Sequence, residues 1–139
     1  MYDRILVPLD FSEMDNPSLD QAVRMAEGDS TLTLIHVIEK IDHLDDDEDR
    51  DFYKRLETLA TEKMGERLEY ARSSGVTVHA KLVYGKKIRE ILGHARDQET
   101  DLIVMGSTRV RLDNPIGGFD STSHSIAMLS QCPVFLVKY

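Results

Sequence analysis

Five short apolar runs, alternating with segments of helical spacing, constrain this chain more than any other feature. The runs are residues 2–9, 31–38, 76–83, 102–105 and 134–137. Ile5-Leu6-Val7 and the stretch DLIVMGS at 101–107 are continuous, as in strands buried on both faces. Residues 76–83 instead alternate Val78, Ala80 and Leu82 with Thr77, His79 and Lys81, which suits a sheet edge. Strand and helix in strict alternation predict an α/β fold: a doubly wound, five-stranded parallel sheet with right-handed crossovers and helices on both faces. Such sheets take ligands beyond the carboxyl ends of their strands, where strand order reverses. With the first strand central, that point lies between strands one and four, and Asp10 faces Gly106.

The helices follow from spacing and punctuation. Asn16-Pro17 reads as an N-cap and first helical residue, with Leu19, Ala22, Val23 and Ala26 on one face and Gly28 as the stop. Residues 50–73 form the second helix, with Phe52, Leu56, Leu59, Ala60, Met64, Leu68 and Ala71 as its apolar stripe and Gly75 ending it. Gly85 turns the chain into a third helix carrying Ile88, Ile91, Leu92 and Ala95. STSHSIAMLSQ, residues 121–131, reads as a fourth helix opened by hydroxyl residues.

At 139 residues the chain has room for one core, and residues 1–139 are expected to form a single domain. The single cysteine, Cys132, fits a reducing cytoplasm. The opening MYDRILVPLD has neither the basic region nor the cleavage site of a signal peptide, and no apolar run approaches a membrane span. A net charge of −8 argues against nucleic acid as a partner. The acidic stretch 39–51 resembles a calcium loop only in composition. Counted from Asp45, its sixth position is Arg50 where glycine is required, and its twelfth is Leu56 where glutamate is required. It reads as a solvated loop whose last acids stand at a helix N-terminus.

The segment after the fourth strand, TRVRLDNPIGGFD, leads through glycines into Ser121-Thr122-Ser123, the outline of an anion cradle. Arg109, Arg111, Lys86 and Lys87 gather at this end of the sheet. The two lysines open a helix, where positive charge is unfavourable, so they bind an anion, pair with the acidic stretch, or are surface charge.

Taken together, ILVPLDFS, LTLIHV, DLIVMGS and CPVFLVK resemble the universal stress protein family along the whole chain. The resemblance implies a Rossmann-like sheet of order 3-2-1-4-5 and a cytoplasmic, stress-responsive homodimer. Its nucleotide-binding branch carries glycine, two residues, glycine, nine residues, glycine, then serine or threonine. Gly106 matches the first position. Arg109 falls on the second, and Asp120-Ser121 on the last pair with one extra residue between. The resemblance therefore implies a degenerate nucleotide site. A carboxylate at Asp120 beside a phosphate repels it by roughly 1–4 kcal/mol unless a cation bridges them. Asp120 also reads as the N-cap of the last helix.

No cofactor is expected on this reading. On the alternative, ATP or AMP binds at Asp10, Val37, Met105, Gly106, Arg109, Ser121, Thr122 and Ser123, with slow hydrolysis and with Mg2+ if Asp120 lies near the phosphates. Asp10 then meets the adenosine and Val37 packs on adenine, as the resemblance implies. Ser121 or Ser123 with His124 lacks the oxyanion donors and third partner of a hydrolase, so no catalytic residue is assigned. His36 reads as a satisfied, partly buried histidine, and no Cys/His cluster has metal spacing. The last strand, Val134–Val137, is an apolar edge, and pairing with a second copy would cover it. Partners are thus a homodimer through that strand and unidentified proteins, with no nucleic acid and no membrane.

Overall fold

The computed structural model describes residues 1–40, 47–107, 112–113 and 121–138. The elements are β1 (Tyr2–Pro8), α1 (Asp15–Met25), β2 (Ala26–Ile38), α2 (Asp47–Arg72), β3 (Thr77–Tyr84), α3 (Lys87–Asp97), β4 (Leu102–Gly106), α4 (Thr122–Leu129) and β5 (Val134–Val137). All pairings are parallel and the order is β3-β2-β1-β4-β5, so β1 is central and β3 and β5 are the edges. Among the described residues no helix is long and apolar enough to cross a membrane.

Alternation along each strand divides the core in two. Ile5, Val7, Leu32, Leu34, Leu102 and Val104 face α1 and α2, with Leu19, Ala22, Met64 and Ala71 packed on them. Leu6, Ile35, Val37, Ile103 and Met105 face α3 and α4, meeting Ile91, Ala95 and Ile126. Both faces being covered is why β1 and β4 carry continuous apolar runs, Ile5-Leu6-Val7 and Leu102-Ile103-Val104-Met105.

Several sequence expectations shift. Asn16 does not cap α1: Met14 is the N-cap, Ser12 Oγ accepts the Met14 N–H at 3.2 Å, and the Ser12 carbonyl accepts the Asp15 N–H at 3.2 Å. Ser12 serves because it follows the tight turn out of β1. Asn16 Oδ1 is left buried with no hydrogen-bond partner among the described residues. Gly28 does not end α1 either. The helix stops at Met25, and Ala26 already pairs with Tyr2; the register then slips before Arg4 meets Thr31. Buried Ser30 fastens that slip, its Oγ donating to the Tyr2 carbonyl at 2.6 Å and accepting the Glu27 N–H at 2.8 Å.

Helix α2 starts at Asp47, three residues earlier than the spacing predicts. The rest of the acidic segment, residues 41–46, lies outside the described residues. Phe52 and Leu59, assigned to the apolar stripe, are exposed. The buried face is centred on Ala60, Met64 and Ala71, roughly a quarter turn away at about 100° per residue. On β3, Val78 is buried but Ala80 is exposed, because only part of this edge strand lies under α2.

The close approach of α1 to β4 is fixed by one missing side chain. A Cβ on Gly106 would lie 2.8 Å from Met14 Cβ, an atom too near the backbone to swing away. Gly106→Ala is therefore expected to lower stability by about 1–3 kcal/mol in urea denaturation without any ligand present. An unchanged midpoint would show that α1 has slack against β4.

Candidate functional site

Central strand β1 leaves the sheet at Pro8, and its exit builds one wall of the site. Leu9 N–H still reaches the Ile35 carbonyl of β2 at 2.8 Å, after which the chain turns through Asp10-Phe11-Ser12. Phe11 takes φ 63°, rare for a residue with a Cβ. Its ring stacks on His36 with centroids 4.0 Å apart, and His36 Nδ1 lies 2.8 Å from the Leu9 carbonyl. A carbonyl only accepts, so Nδ1 carries the proton. Burial first, then the charge of Lys87, holds the His36 pKa below its ordinary value despite that hydrogen bond. His36 is thus a neutral brace for the loop, as the sequence suggested.

Beyond this wall lies a cavity of about 390 Å3 at the carboxyl ends of β1, β2 and β4. Asp10, Val37, Met105, Gly106, Ser121, Thr122 and Ser123 all line it. These seven come from four separate stretches of sequence, and the fold brings them together. The eighth expected residue, Arg109, lies outside the described residues, as do Arg111 and Asp120. A larger groove of about 740 Å3 runs beside α3 toward the amino ends of β4 and β5. The smaller cavity is the better candidate because it sits where strand order reverses.

Its floor is apolar: Ile35, Val37, Ile91 and Met105. Its rim is polar. At one side α4 begins, with Ser121 as N-cap, its Oγ accepting the His124 N–H at 3.1 Å. The cap is Ser121 and not Asp120, because Ser121 has the extended backbone that turns its oxygen back onto the first turn. Ser123 Oγ lies 3.4 Å from Ser121 Oγ. At the opposite side stands Lys87. Its N–H is bound by Glu39 Oε1 at 3.1 Å, so a carboxylate just after β2 offsets the lysines at the start of α3. Among the described residues no three His, Cys, Asp or Glu side chains gather as a metal site.

Sequence reasoning missed Ser12, Asp15 and Ser107 as lining residues. Asp15 matters most. It is 3% exposed, and its Oδ2 accepts Arg67 Nε of α2 at 3.0 Å. Its Oδ1 accepts the Asp10 N–H at 3.3 Å. The two aspartates are driven apart electrostatically. For Asp10, at the exposed mouth, desolvation pushes the pKa up, but hydrogen bonding, led by Ser12, whose N–H reaches Oδ1 at 3.0 Å, outweighs it and the net shift is downward. For Asp15, burial together with the charge of Asp10 outweighs Arg67 and raises the pKa from 3.8 to about 6.

That displacement makes stability depend on pH. The folded-state pKa of Asp15 lies above its unfolded value, so the folded state binds the proton more tightly. The stability this confers is complete below about pH 4 and is lost as pH rises through 6. Relative to Asp15→Asn, the wild type is expected to lose up to about 3 kcal/mol between those limits. Urea denaturation of both proteins across this range checks it, and parallel pH profiles would show that Asp15 titrates normally.

The sequence pattern of the universal stress protein family matches residues 1–138. Universal stress protein YxiE of Bacillus subtilis (strain 168) is 30% identical, over 99% of this chain and 100% of that one. Among solved structures, hypothetical protein MJ0577 superposes with a TM-score of 0.84 at 25% identity, covering 100% of this chain and 97% of the other. Two structures share the fold at lower identity. One is a universal stress protein in complex with cAMP (TM-score 0.75, 18% identity, 99% and 97% covered). The other is that of Archaeoglobus fulgidus in complex with dAMP (TM-score 0.73, 19% identity, 99% and 98% covered). A match in pattern, sequence and sheet topology over essentially the whole chain places it in the universal stress protein family.

Proposed function

We propose that this chain is a non-enzymatic, regulatory universal stress protein whose cavity takes an adenine nucleoside monophosphate and does not hold ATP in the family's usual way. The observation that carries this reading is the 390 Å3 cavity lined by the seven residues above, a size within the range of small-ligand sites. An apolar floor of Val37, Ile91 and Met105 suits a purine. The ionised Asp10 carboxylate at the mouth is an acceptor for ribose hydroxyls. Neighbours of this fold are complexed with cAMP and dAMP, each bearing a single phosphate. The start of α4, with Ser121, Thr122 and Ser123, and Lys87 opposite, provides donors for one phosphate. Further phosphates would add negative charge in a chain that has arginine and aspartate, Arg109 and Asp120, where the family motif has glycines.

Calorimetry with AMP, cAMP and ATP, with and without Mg2+, tests this. The monophosphates are expected to bind, ATP to bind at least about tenfold more weakly, and Asp10→Ala to weaken AMP by roughly tenfold. ATP binding more tightly than AMP, or phosphate release above background, would sink the proposal.

The same reading includes a homodimer through β5. The Pro133 and Val137 carbonyls accept from Ile103 and Ser107 on the β4 side. Alternation therefore turns the backbone groups of Val134 and Leu136 outward, along an edge where Phe135 is 38% exposed. Leu136→Pro removes one outward N–H without touching the β4 ladder, and is expected to convert a sedimenting dimer to monomer. A wild type that sediments as a monomer at high concentration would refute the dimer.

A further inference from the structure

We propose that Asp15 is a positioning residue for the nucleoside subsite, which fixes the backbone of Asp10 and, through Arg67, makes that subsite sensitive to protonation and to the placement of α2. The geometry is a three-point relay. Asp15 sits in the first turn of α1, one oxygen on the Asp10 N–H at 3.3 Å and the other on Arg67 Nε at 3.0 Å. The side chains of the pair are 4% and 18% exposed, so water does little to screen them. Arg67 projects from α2, none of whose described residues lines the cavity itself. This pair is therefore the path by which α2 reaches the candidate site.

The groups that face Asp15 are few. The β1–α1 loop contributes Asp10, and α2 contributes Arg67, whose Nη1 is 4.0 Å from Glu66. Beside it in the lining, β4 and its exit supply Gly106 and Ser107, which carry no charge, and Lys87 lies across the cavity from α3. While Asp15 is a carboxylate, both of its hydrogen bonds are charge-assisted. Protonation makes the bond to Asp10 a neutral one, roughly half as strong, and breaks the ion pair with Arg67. The raised pKa of Asp15 brings that change into the mildly acidic range.

The ligand consequence rests on the function proposed above, so the test has one arm that needs no ligand. In the unliganded wild type, the Asp10 backbone amide is followed by 15N–1H NMR from about pH 4.5 to about pH 8. It is expected to titrate with a midpoint near 6. In Asp15→Asn, which keeps an oxygen acceptor, that transition is expected to vanish. In Arg67→Gln, which removes the opposing cation, the midpoint is expected to rise. A flat Asp10 amide in the wild type, or a transition that survives Asp15→Asn, overturns the proposal. The second arm measures cAMP affinity, because a phosphodiester does not itself titrate in this range. Affinity is expected to fall roughly tenfold as Asp15 protonates, and to be independent of pH in Asp15→Asn. A pH-independent wild-type affinity overturns the coupling to ligand. If cAMP and AMP bind at no pH, the function proposed above fails, while the amide titration still decides the role of Asp15.

Discussion

The structure depends on β1 being paired on both edges and buried on both faces. Ile5, Leu6 and Val7 are essentially inaccessible, and the strand pairs with β2 on one side and β4 on the other. A strand so enclosed leaves its polar neighbours only one place to go, the point where the chain emerges after Pro8. There the neighbouring crossovers diverge to opposite faces, and a crevice opens between them. The loop that emerges is held and not loose. Phe11 adopts a left-handed conformation that costs on the order of 1–2 kcal/mol for a residue with a Cβ. Its stack on His36 and the His36–Leu9 hydrogen bond help offset that cost. Asp10 is thereby presented at the mouth of the cavity before any ligand arrives.

Two carboxylates five residues apart in the chain meet opposite fates for physical reasons. Asp10 is at the mouth and accepts several hydrogen bonds, so its charge is favoured. Asp15 is buried in the first turn of α1 and next to Asp10, so its charge is opposed despite Arg67. A buried ion pair of this kind is a poor source of stability, because desolvation consumes most of the attraction. What this pair does hold in place is the Asp10 backbone, through the Asp10 N–H on Asp15 Oδ1.

Much of this was legible in the sequence because it was written in periodicity. The strand runs, the edge character of β3 and the meeting of Asp10 with Gly106 follow from apolar patterning and the rule for parallel crossovers. What was not legible depends on tertiary contacts. Asn16-Pro17 looks like a better cap than Met14, but Ser12 is carried to the helix start by the turn out of β1. Phe52 and Leu59 repeat at the correct interval, yet the interval fixes only that they share a stripe, not which stripe faces the sheet. Gly106 was legible as the first glycine of the family motif, but not that a Cβ there would meet Met14. Asp15 gave no signal beyond being an acid in a first helical turn, since its partner Arg67 is fifty-two residues away.

The candidate site also divides along the line that separates what patterning determines from what it does not. The nucleoside half, Asp10, Val37, Met105 and Gly106, is carried on or just beyond the ends of β1, β2 and β4. Those positions are tied to the core, and changing them disturbs packing as well as binding. The half proposed for the phosphate includes the start of α4, and in the sequence leading to it the family motif and this chain part company at Arg109 and Asp120. Loop substitutions in general change what a site accepts at little cost to the fold. On the function proposed above, departure from the glycine motif bears on how many phosphates are accommodated, and the apolar floor of the cavity bears separately on the nucleoside.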